Sequence, residues 1–514
     1  MIPQPVLSLF LSLAAGLVLV PLVRHLAIRC SIVAEPRPDR WHRRTTALLG
    51  GLAIWGAVAA SMICYGPKGP ALVGVLVGGS LLCAFGLFDD LRHVKPASKL
   101  VAQIVAAAIA ISVGFHISWF RFEILNLAAS FFWIVAITNA VNLLDHMDGL
   151  AAGVVLIAAQ SLGWSFTGGD QIEIAVLAFS LVGALAAFLV YNVHPASIFM
   201  GDCGSMFIGF TLACLALADH HASQVLSFVA VPAMTLTIPI LDTTLVTVTR
   251  LLSGRSIAEG GQDHTSHRLV MLGLSERQAV ALLWFLALAA GGFAALTSSY
   301  SYSLGMGLLP LIIAAFGLLG VFLSRLSFVD PESGEIRRET NGFVRLALEI
   351  PHKRRILEVI LDFVLVFTAY YLAYGLCFGF ELENRRSWPH FHQSLPIVIA
   401  AAMVAFFLRG VYRGVWRSVS IDDVFTHLQA CVLASLLGML GLFLALGVET
   451  NLLQVFALYT MLAFLGVGAS RVSLRLIDEP LARRRPGRST RIVRAGNEGE
   501  IEGPPRAAVS GGAR

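Results

Sequence analysis

The stretch NLAASFFWIVAITNAVNLLDHMDGLAAG, residues 126–153, passes from apolar side chains through two amides and two carboxylates and back to apolar ones. Its polar members Asn139, Asn142, Asp145 and Asp148 recur at every third position. They stand between two long apolar runs, which belong to stretches near the roughly 20 residues of a bilayer-crossing helix, so they mark a waterline. Residues three apart are neighbours on a helix. The series nevertheless drifts about 60° per step, so its ends diverge by roughly half a turn. The expectation is a chain that runs off a helix end near Gly149, with the four groups lining a cavity wall. Asn139 alone also reads as a hydrogen-bonding group between helices.

The whole chain has this character. Charged residues make up 13% of 514 positions and apolar residues 57%, whereas soluble domains carry about 25% charge. With a mean hydropathy of +0.77, the chain lacks the polar surface of a soluble globule. About fifteen apolar stretches, each near the 20 residues of a spanning helix, follow one another along it. The expected fold is all-α and polytopic, with about 15 transmembrane helices of roughly 20 residues each. The first stretch, VLSLFLSLAAGLVLVPLV, has no basic residue before it and no small-residue cleavage site, and reads as a retained helix. Seven cysteines stand singly, without a C-x-x-C, and read as small packing residues.

Basic residues set the expected orientation. Of the 37 Lys and Arg, 33 fall in 24–46, 89–99, 250–277, 325–355, 409–417 and 471–514, all on one side if the spans are right. Lys68, Arg121, Arg385 and Arg386 lie on the other. The positive-inside rule then puts the N-terminus outside, the C-terminus in the cytoplasm, and the protein in a bacterial inner membrane. FDDLRHVKPASK (88–99), NVHPASIFMGDCGS (192–205) and EGGQDHTSHRL (259–269) share the cytoplasmic face with residues 138–153. Ionisable groups gathered at membrane depth are costly and usually functional.

The adjacent carboxylates of Asp89 and Asp90 repel, and a cation relieves the repulsion. Asp202 lies in M-G-D-C-G-S between Gly201 and Ser205, where exposed N–H groups at a helix start favour an anion. Oxygen-rich clusters of this kind suit Mg²⁺ and a diphosphate; Mn²⁺ is the alternative ion. In D-H-T-S-H-R, Asp263, His264, His267 and Arg268 read as phosphate or base recognition. A zinc reading of His-x-x-His is supported by no Cys and no third clear ligand.

With D-R-W-H (39–42), Gly50-Gly51, Asp89-Asp90 with Lys99 and Gln103, N-A-V-N-L-L-D-x-M-D-G-L, F-M-G-D-x-G-S, P-I-L-D (239–242) and His-x-x-His-Arg-Leu in order, the chain resembles the polyprenyl-phosphate N-acetylhexosamine-1-phosphate transferases over about residues 1–325. The resemblance implies an eleven-helix core. In it, a UDP-N-acetylhexosamine passes its sugar-1-phosphate to undecaprenyl phosphate and UMP leaves, with direct displacement favoured over a covalent phospho-enzyme as the alternative. It implies Asp89, Asp90, Asp145 and Asp148 as the catalytic set, with Asp89 taking the lipid-phosphate proton. Asp202, Asp90 and Asn142 would hold metal. Lys99, Asn139, Asn142, Gly201, Ser205, His264, His267, Arg268 and His42 would bind substrate.

Three positions depart from the family pattern: His146 replaces a glycine, Ala34 an aspartate, and Ser266 a histidine of many GlcNAc-1-phosphate transferases. If position 146 needs a positive φ, a histidine there costs on the order of 1 kcal/mol. The histidine loop lacks the form that accompanies the muramyl-pentapeptide substrate, which favours a simple UDP-HexNAc. Beyond the core (1–325), a linker (326–354) leads to four more spans (355–470) and a basic tail (471–514) expected to be disordered. The region 355–470 resembles the membrane anchor of nucleotide-sugar epimerases. No strand–glycine–helix segment follows it, so no epimerase activity is expected. Its Tyr412, Arg413, Trp416 and Arg417 read as interfacial anchors or as a dock for a cytoplasmic glycan-modifying enzyme. The partners expected are undecaprenyl phosphate, a UDP-sugar, membrane lipids and a second copy of the chain, with no nucleic acid. A lipid-linked sugar flippase and a catalytically weakened scaffold are the competing classes.

Overall fold

A computed structural model of the chain describes residues 3–35, 45–66, 69–92, 94–118, 120–167, 171–218, 231–252, 261, 263–300, 351–380, 391–411, 421–446 and 452–483, with scattered positions between 309 and 337. His42, Tyr412, Arg413, Trp416, Arg417 and the tail beyond 483 lie outside the described residues.

Among the described residues the secondary structure is helical apart from two short antiparallel strand pairs. Helices α1 (Gln4–Arg29), α2 (Gly50–Tyr65), α3 (Pro70–Arg92), α4 (Pro96–Ser112), α5 (Glu123–Leu144), α6 (Leu150–Ser165), α7 (Ile172–Asn192) and α8 (Gly201–Leu217) come first. Then follow α9 (Thr237–Leu252), the short α10 (Thr265–Met271) and α11 (Glu276–Tyr300). The C-terminal helices are α12 (Pro351–Phe378), α13 (Phe391–Leu408), α14 (Ile421–Leu446) and α15 (Leu453–Arg483). Among the described residues, eight helices are long and apolar enough to cross a membrane, and five more are apolar but shorter. The chain is an all-helical polytopic membrane protein.

Local sequence sets several helix starts. Pro96 opens α4 at a position whose N–H would be unpaired anyway. Helix α8 begins at Gly201, whose φ of +74° is open to glycine and strained for other residues. The chain before it is stapled to the start of α2: Phe199 donates to the Ala47 carbonyl (2.8 Å), and Gly50 and Gly51 donate to those of Phe199 and Met200 (2.9 Å each). From Cys203 to Leu217 every residue of α8 is buried. A helix that is apolar all round belongs at a centre, and α8 packs against α2, α3, α5 and α6. Outward-facing Phe10, Val18 and Phe132 stay exposed, as side chains toward lipid do. Asp202 is therefore carried at the tip of the most enclosed helix.

Helices α12–α15 close around a separate apolar cluster that includes Tyr370, Phe391, Phe406, Phe456 and Tyr459. Inside it the carboxylate of Asp362 (0% exposed) meets the guanidinium of Arg471 (2% exposed) at 2.5 Å. A pair taken out of solvent costs desolvation energy, and breaking it costs more because one charge is then left unpaired. Asp362→Leu is expected to lower stability by about 3–5 kcal/mol, and adding Arg471→Met to recover most of that loss. Thermal unfolding of the single and double variants checks this; equal loss in both would contradict it.

Candidate active site

Asp89 and Asp90 lie in the last turn of α3, and the fold puts them to different uses. The Asp90 carboxylate accepts from the backbone N–H of Asp202 (2.9 Å) and of Cys203 (3.2 Å). It thereby caps α8 from a neighbouring helix, where negative charge is favoured. A Cβ on Gly201 would come within 2.6 Å of the Asp90 Oδ2, so this close approach also requires glycine. Asp89 accepts from the Val94 N–H at 2.5 Å and pairs with the Lys99 ammonium. Lys99 reaches on to Asp202 Oδ2 at 2.5 Å. One cation thus joins a carboxylate on α3 to another on α8.

Asn142 completes this group. Its amide donates to Asp202 Oδ1 (2.9 Å) and to Ser205 Oγ (2.8 Å). Asn139, one turn earlier, faces α4 instead and exchanges hydrogen bonds with the Gln103 amide at 2.8 and 3.1 Å. The drift around the helix has separated them. The helix ends at Leu144, as expected from the approach to Gly149, and Asp145 is its C-cap. Asp148 accepts from the Ala196 N–H (3.0 Å) and pairs with His194 Nδ1 (2.9 Å), tying the 145–149 turn to the loop before α8. His194 also faces Glu276 at 3.5 Å.

Asp145 is different. Its half-buried carboxylate accepts no hydrogen bond from a described residue. Burial, reinforced by the charges of Asp202, Asp90 and Asp148, pushes its pKa up to about 7. A carboxylate beside two or three others, with oxygen donors on Asn142 and Ser205 nearby, is the surrounding a hard divalent cation relieves. The donor set fits Mg²⁺.

Histidines form a second group beside the first. His264 is the N-cap of α10, and its Nδ1 lies 2.8 Å from Asp242 Oδ2 while the Thr265 N–H donates to Asp242 Oδ1 at 2.6 Å. His146 stacks on His264 and on His267, with ring centroids 4.2 and 4.7 Å away. Its Nδ1 meets the Leu143 carbonyl at 2.8 Å and its Nε2 the Ser266 hydroxyl at 2.5 Å. Burial, with His264 next to it, pushes His146 down to about 4, and burial with His146 and His264 also lowers His267. Both rings are therefore neutral at physiological pH. Arg268 is wholly buried and donates to the carbonyls of Asp263 and Leu323 (2.8 Å each). Arg250 grips the Asp263 carboxylate through two nitrogens at 2.6 and 2.8 Å. Burial raises the Asp263 pKa, but Arg250 outweighs it and holds the carboxyl below the usual range.

Sequence reasoning named Gln103 and the P-I-L-D that ends at Asp242 only as family motifs, without a role in the site, and did not single out Arg250 or His194. Asp242 and His264 are 22 residues apart, and no local periodicity links them. His146 does not carry the backbone strain that a positive φ would impose. Among the described residues, only Ser31 and Leu49 have positive φ without being glycine, and the turn places its positive φ at Gly149.

The sequence model of glycosyl transferase family 4 matches residues 72–219, which run from α3 through α8 and contribute every acid from Asp89 to Asp202. A probable undecaprenyl-phosphate N-acetylglucosaminyl 1-phosphate transferase of Bacillus subtilis is 32% identical over 291 residues, 55% of this chain and 81% of that protein. A decaprenyl-phosphate N-acetylglucosaminephosphotransferase of Mycolicibacterium smegmatis is 36% identical over 305 residues, 51% of this chain and 74% of that one. This chain belongs to glycosyl transferase family 4. A phospho-N-acetylmuramoyl-pentapeptide-transferase of Levilactobacillus brevis is similar over a shorter stretch, 32% identical across 231 residues and 38% of this chain. Within this family 4 chain, the matched segment holds the carboxylate group and His146, while Asp242, His264 and His267 lie beyond it.

The surroundings of Asp145 give a pH dependence with a definite sign. Its folded pKa of about 7 lies above the ordinary aspartate value of about 3.9. The group therefore costs no stability below the ordinary value and progressively more as pH rises through the folded one. In EDTA, Asp145→Asn is expected to unfold at a higher temperature than the parent at pH 8, and the gap to close by pH 4. Mg²⁺ at pH 8 should reverse the order. A variant less stable than the parent in EDTA at pH 8 would contradict this.

Proposed function

We propose that this family 4 transferase moves N-acetylglucosamine-1-phosphate from UDP-N-acetylglucosamine to undecaprenyl phosphate. UMP is released, and the product initiates a cell-envelope glycan. The observation that carries the reading is the single Lys99 ammonium joining Asp89 to Asp202, beside the unpartnered Asp145. It sets one cation among Asp89, Asp202 and Asp145, a net-negative seat in which a divalent ion would complete the charge for a lipid phosphate and a diphosphate.

Asp89 takes the proton of the lipid phosphate, whose oxygen attacks the β-phosphorus while the bond to the UMP oxygen breaks. Held by Val94 and Lys99, its carboxylate is fixed in orientation. Asp202, Asn142 and Asp145 would hold Mg²⁺, with Mn²⁺ as the substitute, while Asp90, expected among the ligands, spends its oxygens on capping α8 and so fixes Asp202. Bound there, Mg²⁺ supplies charge to the diphosphate oxygens as negative charge builds on them. Lys99 and Ser205 bind phosphate oxygens. Asp148 positions the loop before α8, and Asn139 aligns α5 with α4. His264 and His267 contact the diphosphate or sugar from a loop that Arg268 anchors through its main-chain bonds. Eleven spans form the transferase core and four the C-terminal region, with the N-terminus outside, the C-terminus in the cytoplasm, and the site on the cytoplasmic face. The simplest donor is favoured because the histidine loop lacks the muramyl-pentapeptide form.

Purified protein with undecaprenyl phosphate and a panel of UDP-sugars is expected to release UMP with UDP-N-acetylglucosamine, and only with Mg²⁺ or Mn²⁺ present. Asp89→Asn and Asp202→Asn should each lower the rate at least about 100-fold. Release unchanged in either variant, or equal in EDTA, would overturn the roles given to these carboxylates.

A further inference from the structure

The stacked histidines do more than line a substrate pocket. His146 comes from the turn after α5, Asp242 from α9, and His264 and His267 from α10. One ligand atom from each of His146, Asp242 and His264 lies within 4.8 Å of the others. His267 adds a third imidazole, its centroid 4.7 Å from His146 and 5.8 Å from His264. We propose that His146, His264, His267 and Asp242 bind a borderline divalent ion of the zinc class, at a site separate from the Mg²⁺ centre.

Imidazole nitrogens suit zinc, whereas Mg²⁺ prefers oxygen ligands and water. A hydrogen bond already orients one of the rings for this. The Leu143 carbonyl can only accept, so His146 Nδ1 carries the proton and Nε2 keeps its lone pair. Asp242 Oδ2 lies 2.8 Å from His264 Nδ1, so an ion bound by both atoms takes the place of the proton they share, since metal binding displaces protons from its ligands. Ligand nitrogens about 2.0–2.1 Å from zinc sit about 3.3 Å apart in a tetrahedron. Closure from 4.8 Å therefore needs side-chain movement of about 1.5 Å, with the Ser266 hydroxyl releasing His146 Nε2. The family pattern has glycine where this chain has His146, so the ligand that completes the set is a feature of this sequence. An ion here would clasp α9 and α10 to the turn that bears Asp145.

Cobalt(II), whose visible absorption reports coordination, serves as the probe. The purified full chain is stripped with EDTA, loaded with CoCl₂ and desalted, and its bound metal is counted. One cobalt per chain is expected, with the intense absorption of a four-coordinate ion, retained in excess Mg²⁺ and in Asp202→Asn. His146→Gly, which restores the residue of the family pattern, should weaken binding at least 10-fold. His146→Cys should keep it and add a sulfur-to-cobalt charge-transfer band. Mg²⁺-dependent UMP release by the parent preparation shows that the loaded protein is folded. No bound cobalt in that preparation, equal affinity in His146→Gly, or displacement of cobalt by Mg²⁺ would overturn the proposal, the last by assigning the ion to the Asp145–Asp202 group.

Discussion

The ammonium of Lys99, held between Asp89 on α3 and Asp202 on α8, is the contact on which the arrangement of the site depends. Two carboxylates brought together at the edge of an apolar medium repel strongly, because the low dielectric weakens neither charge. A cation between them turns that repulsion into a link between helices. The neighbours around it each act differently. Asp90 caps α8, Asn142 joins Asp202 to Ser205, and Asp148 ties the 145–149 turn to the preceding loop. Asp145 is left without a hydrogen-bond donor among the described residues, and burial together with the surrounding charges raises its proton affinity.

Geometry of this quality requires a rigid support, and α8 supplies it. A helix buried from Cys203 to Leu217 cannot tilt without moving α2, α3, α5 and α6. The main-chain bonds from Ala47, Gly50 and Gly51 to the segment before α8 fix its entry. The C-terminal helices handle buried charge in a different way. There Asp362 and Arg471 neutralise one another inside an aromatic cluster, a closed pair rather than an open row of carboxylates.

Much of this was legible in the sequence because it is local. Apolar runs of spanning length announce themselves, and the aspartates stand at their ends, where the chain leaves the bilayer. Adjacent Asp89 and Asp90 could be read as a charged site. That one would cap α8 while the other pairs with Lys99 could not be read, since it depends on which neighbouring helix each side chain meets. Asn139 and Asn142 illustrate the same limit: three residues apart, one joins α4 and the other α8. Arg268 looked like a phosphate fork by type, yet tertiary packing spends it on two carbonyls. The seven-residue α10 is too short and too mixed in composition to show a period of its own, and its partner Asp242 is remote in sequence.

If the charge on Lys99 holds the two carboxylates in a working geometry, removing that charge must disable the site while leaving its ligands in place. The decisive measurement is a Mg²⁺ titration of UMP release by Lys99→Gln, with Lys99→Arg as the charge-keeping control. Lys99→Gln is expected to lose at least about 100-fold in turnover at saturating Mg²⁺, and Lys99→Arg to retain more of it. Turnover in Lys99→Gln equal to that of the parent at any Mg²⁺ concentration would show that the ammonium does not organise the site.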